Sequence, residues 1–298
     1  MRHSRGATRS ERENPSAGLL VATVSVFASL ACGPITSGSA GTAPPGNLAF
    51  IDMNGRLAVV TTGGLDFKEL TTVGTTANDP VLTPNGSAIA FAYNPDMTNA
   101  PTTGVYFVPF AGGTPTLVVN PGAGANVSSL CWDREAANLY FVSTAGGVSQ
   151  IMKVPATANA TAVLVPANGL AVQEIALIND TTLLVAADSD DLFTLDLTTG
   201  MATQITEVNS TGRPAVSPDG TRIAYVRTGT GLVVRTLQTG EETSIDPGGA
   251  LSDNNPCFSP DGTYVGFDTG TAIYAIAATG AGGKIPLYTP GHEATWGS

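Results

Sequence analysis

Side chains able to do acid–base, metal or nucleophilic chemistry are sparse in this 298-residue chain. Histidine occurs only at His3 and His292. His292 adjoins Glu293, and such a pair could in principle move a proton. A lone histidine where a loop enters a strand reads first as a structural or exposed residue. It also leaves no His-rich zinc site. The cluster Asp188-Ser-Asp-Asp191 spaces carboxylates as Ca²⁺ ligands are spaced, yet it lacks the glycine and distal glutamate of an EF-hand loop. A solvated hairpin tip is the plainer reading. No Gly-x-Ser-x-Gly elbow, P-loop or dinucleotide fingerprint stands in a strand-to-helix context. We therefore expect no catalytic residue, no metal ligand and no cofactor.

What positions these residues is a repeat. Ser-Pro-Asp-Gly occurs at Ser217–Gly220 and at Ser259–Gly262. Each copy follows a short apolar stretch and precedes a strand-like run, Thr221-Arg-Ile-Ala-Tyr or Thr263-Tyr-Val-Gly-Phe. Proline presets one backbone angle and offers no ladder donor, while Asp-Gly accepts the positive φ of a tight turn. Asp219 and Asp261 are therefore turn residues. Weaker copies are Thr83-Pro-Asn-Gly86, Trp132-Asp-Arg-Glu135 and Ile178-Asn-Asp-Thr181. The first-strand positions equivalent to Pro214 are Pro80, Leu130, Ile175, Pro256 and Ala294, spaced by 38 to 50 residues. Periods near 40 with four short strands each match propeller blades. The longest interval contains the turn-rich loop Asn94–Gly104.

The chain ends in Glu293-Ala-Thr-Trp-Gly-Ser298, which reads as an opening strand with nothing after it. The repeat region begins at Asn47-Leu-Ala-Phe-Ile, a second strand with no first strand before it. Pairing the two completes one blade and removes the edges of an open array. The expected fold is all-β: a six-bladed β-propeller over residues 47–298, closed by the C-terminal strand on the N-terminal blade.

Pro214–Tyr225, Pro256–Phe267 and Pro80–Phe91 resemble the repeat of the TolB-type β-propeller family, a Pro-x-(apolar)-Ser-Pro-Asp-Gly turn followed by an Ile-Ala-Phe-like strand. The resemblance covers residues 47–298; blades three and four depart from it at the turn. Proteins of that family carry an α/β domain before the propeller, and only a short linker occupies that place here. The family's role in the Tol system is therefore not transferred whole.

The first 46 residues are of another kind. Arg2, Arg5, Arg9 and Arg12 precede an uncharged apolar run, Ala17–Ala31, which suits a signal peptide over 1–31 and is short for a stable membrane span. Ser29-Leu-Ala-Cys32 resembles a bacterial lipobox, with Ser29 where leucine is usual, and makes Cys32 the expected lipidation site. The alternative is an ordinary signal peptide cleaved nearby. Gly33 lacks the Asp of inner-membrane retention, so an outer-membrane lipoprotein is expected. Residues 32–46 are a flexible tether. Four of the 13 basic and two of the 24 acidic residues lie in the first 31, so the remainder carries −13. Such a body disfavours nucleic acid and anionic lipid as partners. The membrane is expected to be met through the lipid alone.

Cys131 and Cys257 each follow the anchor by one residue, in blades three and six. These blades face each other across a six-fold ring, too far for a disulfide, so two buried free thiols are expected. Trp132 and Trp296 occupy equivalent positions and should pack between blades. The reading that follows is a monomeric, non-catalytic envelope propeller that binds a protein or peptide, with Asn94, Asp96, Met97 and Asn99 of the long loop as contact candidates. The alternative is a propeller acting on extracellular glycans, which would gather carboxylates at the channel mouth.

Overall fold

The computed structural model describes residues 44–62, 66–72, 75–95, 103–122, 124–206, 210–246 and 254–297. The expected signal segment 1–31, the expected lipidation site Cys32 and the loop residues Asp96, Met97 and Asn99 lie outside them. The described residues contain no helix and form six four-stranded antiparallel sheets. Blade one takes its innermost strand, His292–Gly297, from the C-terminus and its next strand, Asn47–Ile51, from the N-terminus. Leu48 pairs with Trp296 and Ala49 with Thr295, so the ring closes as the two half-blades predict. Blades two to six open with Thr76–Leu82, Asn126–Trp132, Val172–Asn179, Ser210–Val216 and Asn254–Phe258. These six strands touch one another in cyclic order, and each holds one of the six anchors.

The core is divided in the same way. Six apolar clusters fill the six blade-to-blade interfaces, because each sheet buries both faces against its neighbours. Trp296 packs between blades six and one, and Trp132 between blades two and three. Trp132 also donates Nε1–H to the Val81 carbonyl of the preceding blade, at 3.1 Å.

The Ser-Pro-Asp-Gly turns are held by their own side chains. Asp219 Oδ1 accepts from Ser217 Oγ at 2.5 Å and from Thr221 N at 3.0 Å, while Arg222 N donates to Ser217 Oγ at 2.9 Å. Ser259 and Asp261 repeat the pattern, and Thr83 and Asn85 supply its equivalent in blade two. Gly220 closes its turn at φ +72°, and a Cβ there would stand 2.6 Å from the Ile178 carbonyl of blade four. That position requires glycine twice over, for backbone angle and for space. Asp188–Asp191 is a hairpin between the strands Thr182–Ala187 and Leu192–Asp196, where it was expected.

Candidate binding site in the central channel

A strand alternates its side chains, so residues on either side of each anchor point the same way, towards the axis. The residue before the anchor is Asp79, Ser129, Glu174, Arg213, Asn255 or Glu293 in blades two, three, four, five, six and one: polar in every copy. The residue after it is Val81, Cys131, Ala176, Ala215, Cys257 or Thr295, and all six line one cavity. The channel is thus polar near one mouth and walled by small side chains towards the other.

Each innermost strand carries a register shift against its neighbour at this level. Asp79, Ser129, Asn255 and Glu293 adopt positive φ, between 47° and 53°. A bulge of this kind turns an amide out of its own ladder, and the freed N–H groups are satisfied between blades. Asp79 N donates to Glu293 Oε2 at 2.9 Å, Ser129 N to Asp79 Oδ2 at 3.2 Å, and Ile175 N to Ser129 Oγ at 2.7 Å. Glu293 N in turn donates to Asp268 Oδ2 at 2.8 Å, which also accepts from Asn255 Nδ2 at 2.9 Å. The pore residue of one blade therefore caps the bulge of the next. Arg213 breaks this nearest-neighbour order. It comes from blade five, pairs with Asp79 of the opposite blade two, and places Nε 3.4 Å from Glu174 Oε2.

The mouth is short of positive charge: Arg213 sits among Asp79, Glu174, Glu293 and Asp268. Burial pushes the Glu174 carboxyl up to about 7, and the Glu293 carboxylate adds to the rise. Only Arg213 Nε approaches Glu174, and at 3.4 Å that contact is too long to reverse this. Burial lowers Arg213, while Glu293 and Asp268 oppose the change. His292 lies in the closing strand with Nδ1 3.6 Å from Glu293 Oε1, and that carboxylate draws its pKa upward against burial. The His–Glu pair of the sequence is real, then, and joins the acidic ring. Among the described residues no group of three or more His, Cys, Asp or Glu is arranged to hold a metal ion.

Cys131 and Cys257 are free, and both face the cavity. Cys257 is half-buried rather than buried, because its position opens onto the channel. Burial raises both thiols, Cys257 to about 12 and Cys131 further.

Of the contact candidates, Asn94 ends the strand Ala88–Asn94 opposite Thr76, the start of blade two's innermost strand. The loop after it therefore leaves from the acidic mouth. The hairpins Asp52–Arg56, Asp188–Asp191 and Asp268–Ala272 lie at the same end.

No family model and no curated protein matches the sequence. Solved structures do. TolB from Acinetobacter baumannii superposes with a TM-score of 0.70 at 18% identity, over 84% of this chain and 66% of that one. The fold is a TolB-like propeller. A putative TolB from Agrobacterium tumefaciens gives 0.63 at 17% identity, over 84% and 92% of the two chains. A chain of a nidogen/laminin complex gives 0.65 at 10% identity, over 85% and 98%. The present chain spans just under two thirds of the A. baumannii TolB, so the TolB-like likeness concerns the propeller. Propellers of this architecture serve binding proteins and enzymes alike, so activity is argued from the site.

The ring of six polar residues was not singled out from sequence. The signal was present: the position before every anchor is polar although it lies in an innermost strand.

Proposed function

We propose that this chain is a lipid-anchored propeller of the bacterial envelope that binds a protein or peptide without catalysis. The observation that carries the reading is the acidic mouth. Asp79, Glu174 and Glu293 surround a single arginine, and the long loop and the Asp52, Asp188–Asp191 and Asp268 hairpins leave from the same end. A rigid ring with this charge would steer and hold a partner that presents lysine or arginine. The TolB-like fold and the propeller of the nidogen/laminin complex support a protein partner. Cys32 would carry the acyl chains, and residues 33–46 would give the ring reach from the outer membrane.

The second reading, action on extracellular glycans, has one observation in its favour. Glu174 stands near neutrality beside other carboxylates, as a general acid would. Against it, Arg213 occupies the space between Asp79 and Glu174, where a scissile bond would have to lie.

The test places a photo-crosslinking amino acid at position 97 and irradiates intact envelopes. Capture of a defined protein, weakened by added salt and by Glu293→Lys, is the expected result. Recovery of oligosaccharide alone would overturn the binding reading. In the same cells Cys32→Ala should move the protein from the membrane to the soluble fraction.

A further inference from the structure

The cavity on the other side of Arg213 has a different chemistry from the acidic mouth. Its volume is about 560 Å³, and it runs from Arg213 to the turn face, where Thr83-Pro84, Asp133-Arg134, Ser217-Pro218 and Pro260 form its rim. That volume lies within the range of small-molecule sites. Valine, alanine, cysteine and threonine wall it because every blade places a small residue just after its anchor. Larger side chains there would fill the shaft, as side chains fill the interiors of small barrels.

Arg213 supplies the one strong polar feature at its inner end. Its Nη2 is committed to Asp79 and its Nε to Glu174, while Nη1 has no hydrogen-bond partner among the described residues. A guanidinium has five N–H donors, and one without a protein acceptor beside an open cavity is a position a ligand oxygen can take.

The charge around it restricts what that oxygen belongs to. Asp79, Glu174, Glu293 and Asp268 outnumber the single cation, so a second anion would be repelled by the ring behind Arg213. A neutral acceptor meets only the free N–H. We infer that the shaft is a second binding site, entered from the turn face, for a neutral apolar small molecule bearing a carbonyl or ether oxygen that bonds Arg213 Nη1.

Benzophenone has this chemistry and inserts into nearby C–H bonds on irradiation, so it reports its own location. The full chain is irradiated with benzophenone or with its anionic twin 4-benzoylbenzoate, and the labelled peptides are mapped by mass spectrometry. Mapping separates shaft labelling from any on the apolar stretch 17–31. Saturable benzophenone labelling of peptides containing Val81, Ala176 or Thr295 is expected, with the carboxylate labelling there about tenfold less. Ala215→Leu and Ala176→Leu fill the shaft from different blades. Whichever keeps the wild-type unfolding temperature should cut labelling about tenfold. Arg213→Lys, which keeps the charge for Asp79 and removes Nη1, should lower it by a similar factor. Labelling that is absent from the shaft, indifferent to the filling substitutions, or equal for the carboxylate would overturn the inference. Because the envelope crosslinking probes the opposite mouth, either result stands without the other.

Discussion

Replacing Glu174 by glutamine tests whether burial, rather than ion pairing, governs charge at the acidic mouth. The ordinary value for this carboxyl is 4.5, and burial holds it at about 7 in the folded chain. The folded state therefore keeps this proton where the unfolded state has released it. Ionised Glu174 costs nothing below about pH 4.5, a growing amount up to pH 7, and its full penalty above that. A gap of about 2.5 pH units corresponds to about 3 kcal/mol. Burial outweighs the hydrogen bond with Ser129, which favours the carboxylate, and at 3.4 Å the contact with Arg213 Nε is too long to hold the charge. Glutamine has the shape of the protonated acid and can still accept from Nε. Glu174→Gln should therefore stabilise the protein by about 2–3 kcal/mol at pH 8 and leave it within about 0.5 kcal/mol of wild type at pH 4.5. For a propeller of this size the gain at pH 8 is roughly 4–12 °C in Tm. Urea unfolding, followed by the fluorescence of the buried Trp132 and Trp296, reads the difference at each pH. A variant less stable than wild type at pH 8, or a difference independent of pH, would refute the reasoning and make Arg213–Glu174 a true stabilising pair.

Two further outcomes follow from the ring. Trp296→Ala empties the interface between blades one and six beside the pairing of His292–Gly297 with Asn47–Ile51, and should cost about 3–5 kcal/mol; a loss below about 1 kcal/mol in urea unfolding would mean that the closing strand carries little of the stability. Cys131 and Cys257 face one cavity from opposite blades with raised pKa values, so neither should react with a thiol reagent in the native state at pH 8. Both should react once urea opens the ring, as read by peptide mapping, and prompt native reaction of either would contradict the raised pKa values.

The repeat was legible because a turn has few chemical solutions. Ser-Pro-Asp-Gly, its Thr83-Pro-Asn-Gly86 variant and the half-blades at the two ends were enough for blade count and closure. Strand pairing within a blade is local, and the anchors Pro80, Leu130, Ile175, Pro214, Pro256 and Ala294 set a ruler for it. The pore was less legible for a physical reason. Asp79 takes partners from Glu293, Ser129 and Arg213, which lie in three other blades and up to 214 residues away. Residue types along one strand cannot tell whether a carboxylate caps a neighbour's amide, pairs across the axis, or meets solvent. His292 shows the same limit: beside Glu293 it looked incidental, and only closure brings Asp268 and Asp52 close enough to act on it.

Pore polarity and ring closure are one device in this molecule. A bulge in an innermost strand leaves an amide without its ladder partner, and an unsatisfied buried amide is expensive. The acceptor comes from the neighbouring blade, so a residue that is polar at the pore is also the latch between blades: Glu293 holds Asp79, Asp79 holds Ser129, and Ser129 holds blade four through Ile175. Carboxylates suit this task as acceptors, and their accumulation makes the mouth acidic whatever binds there. Arg213 then offsets part of the repulsion by crossing to the opposite blade. It follows that a partner supplying a cation would relieve the same repulsion, and binding there should tighten the ring as well as occupy it.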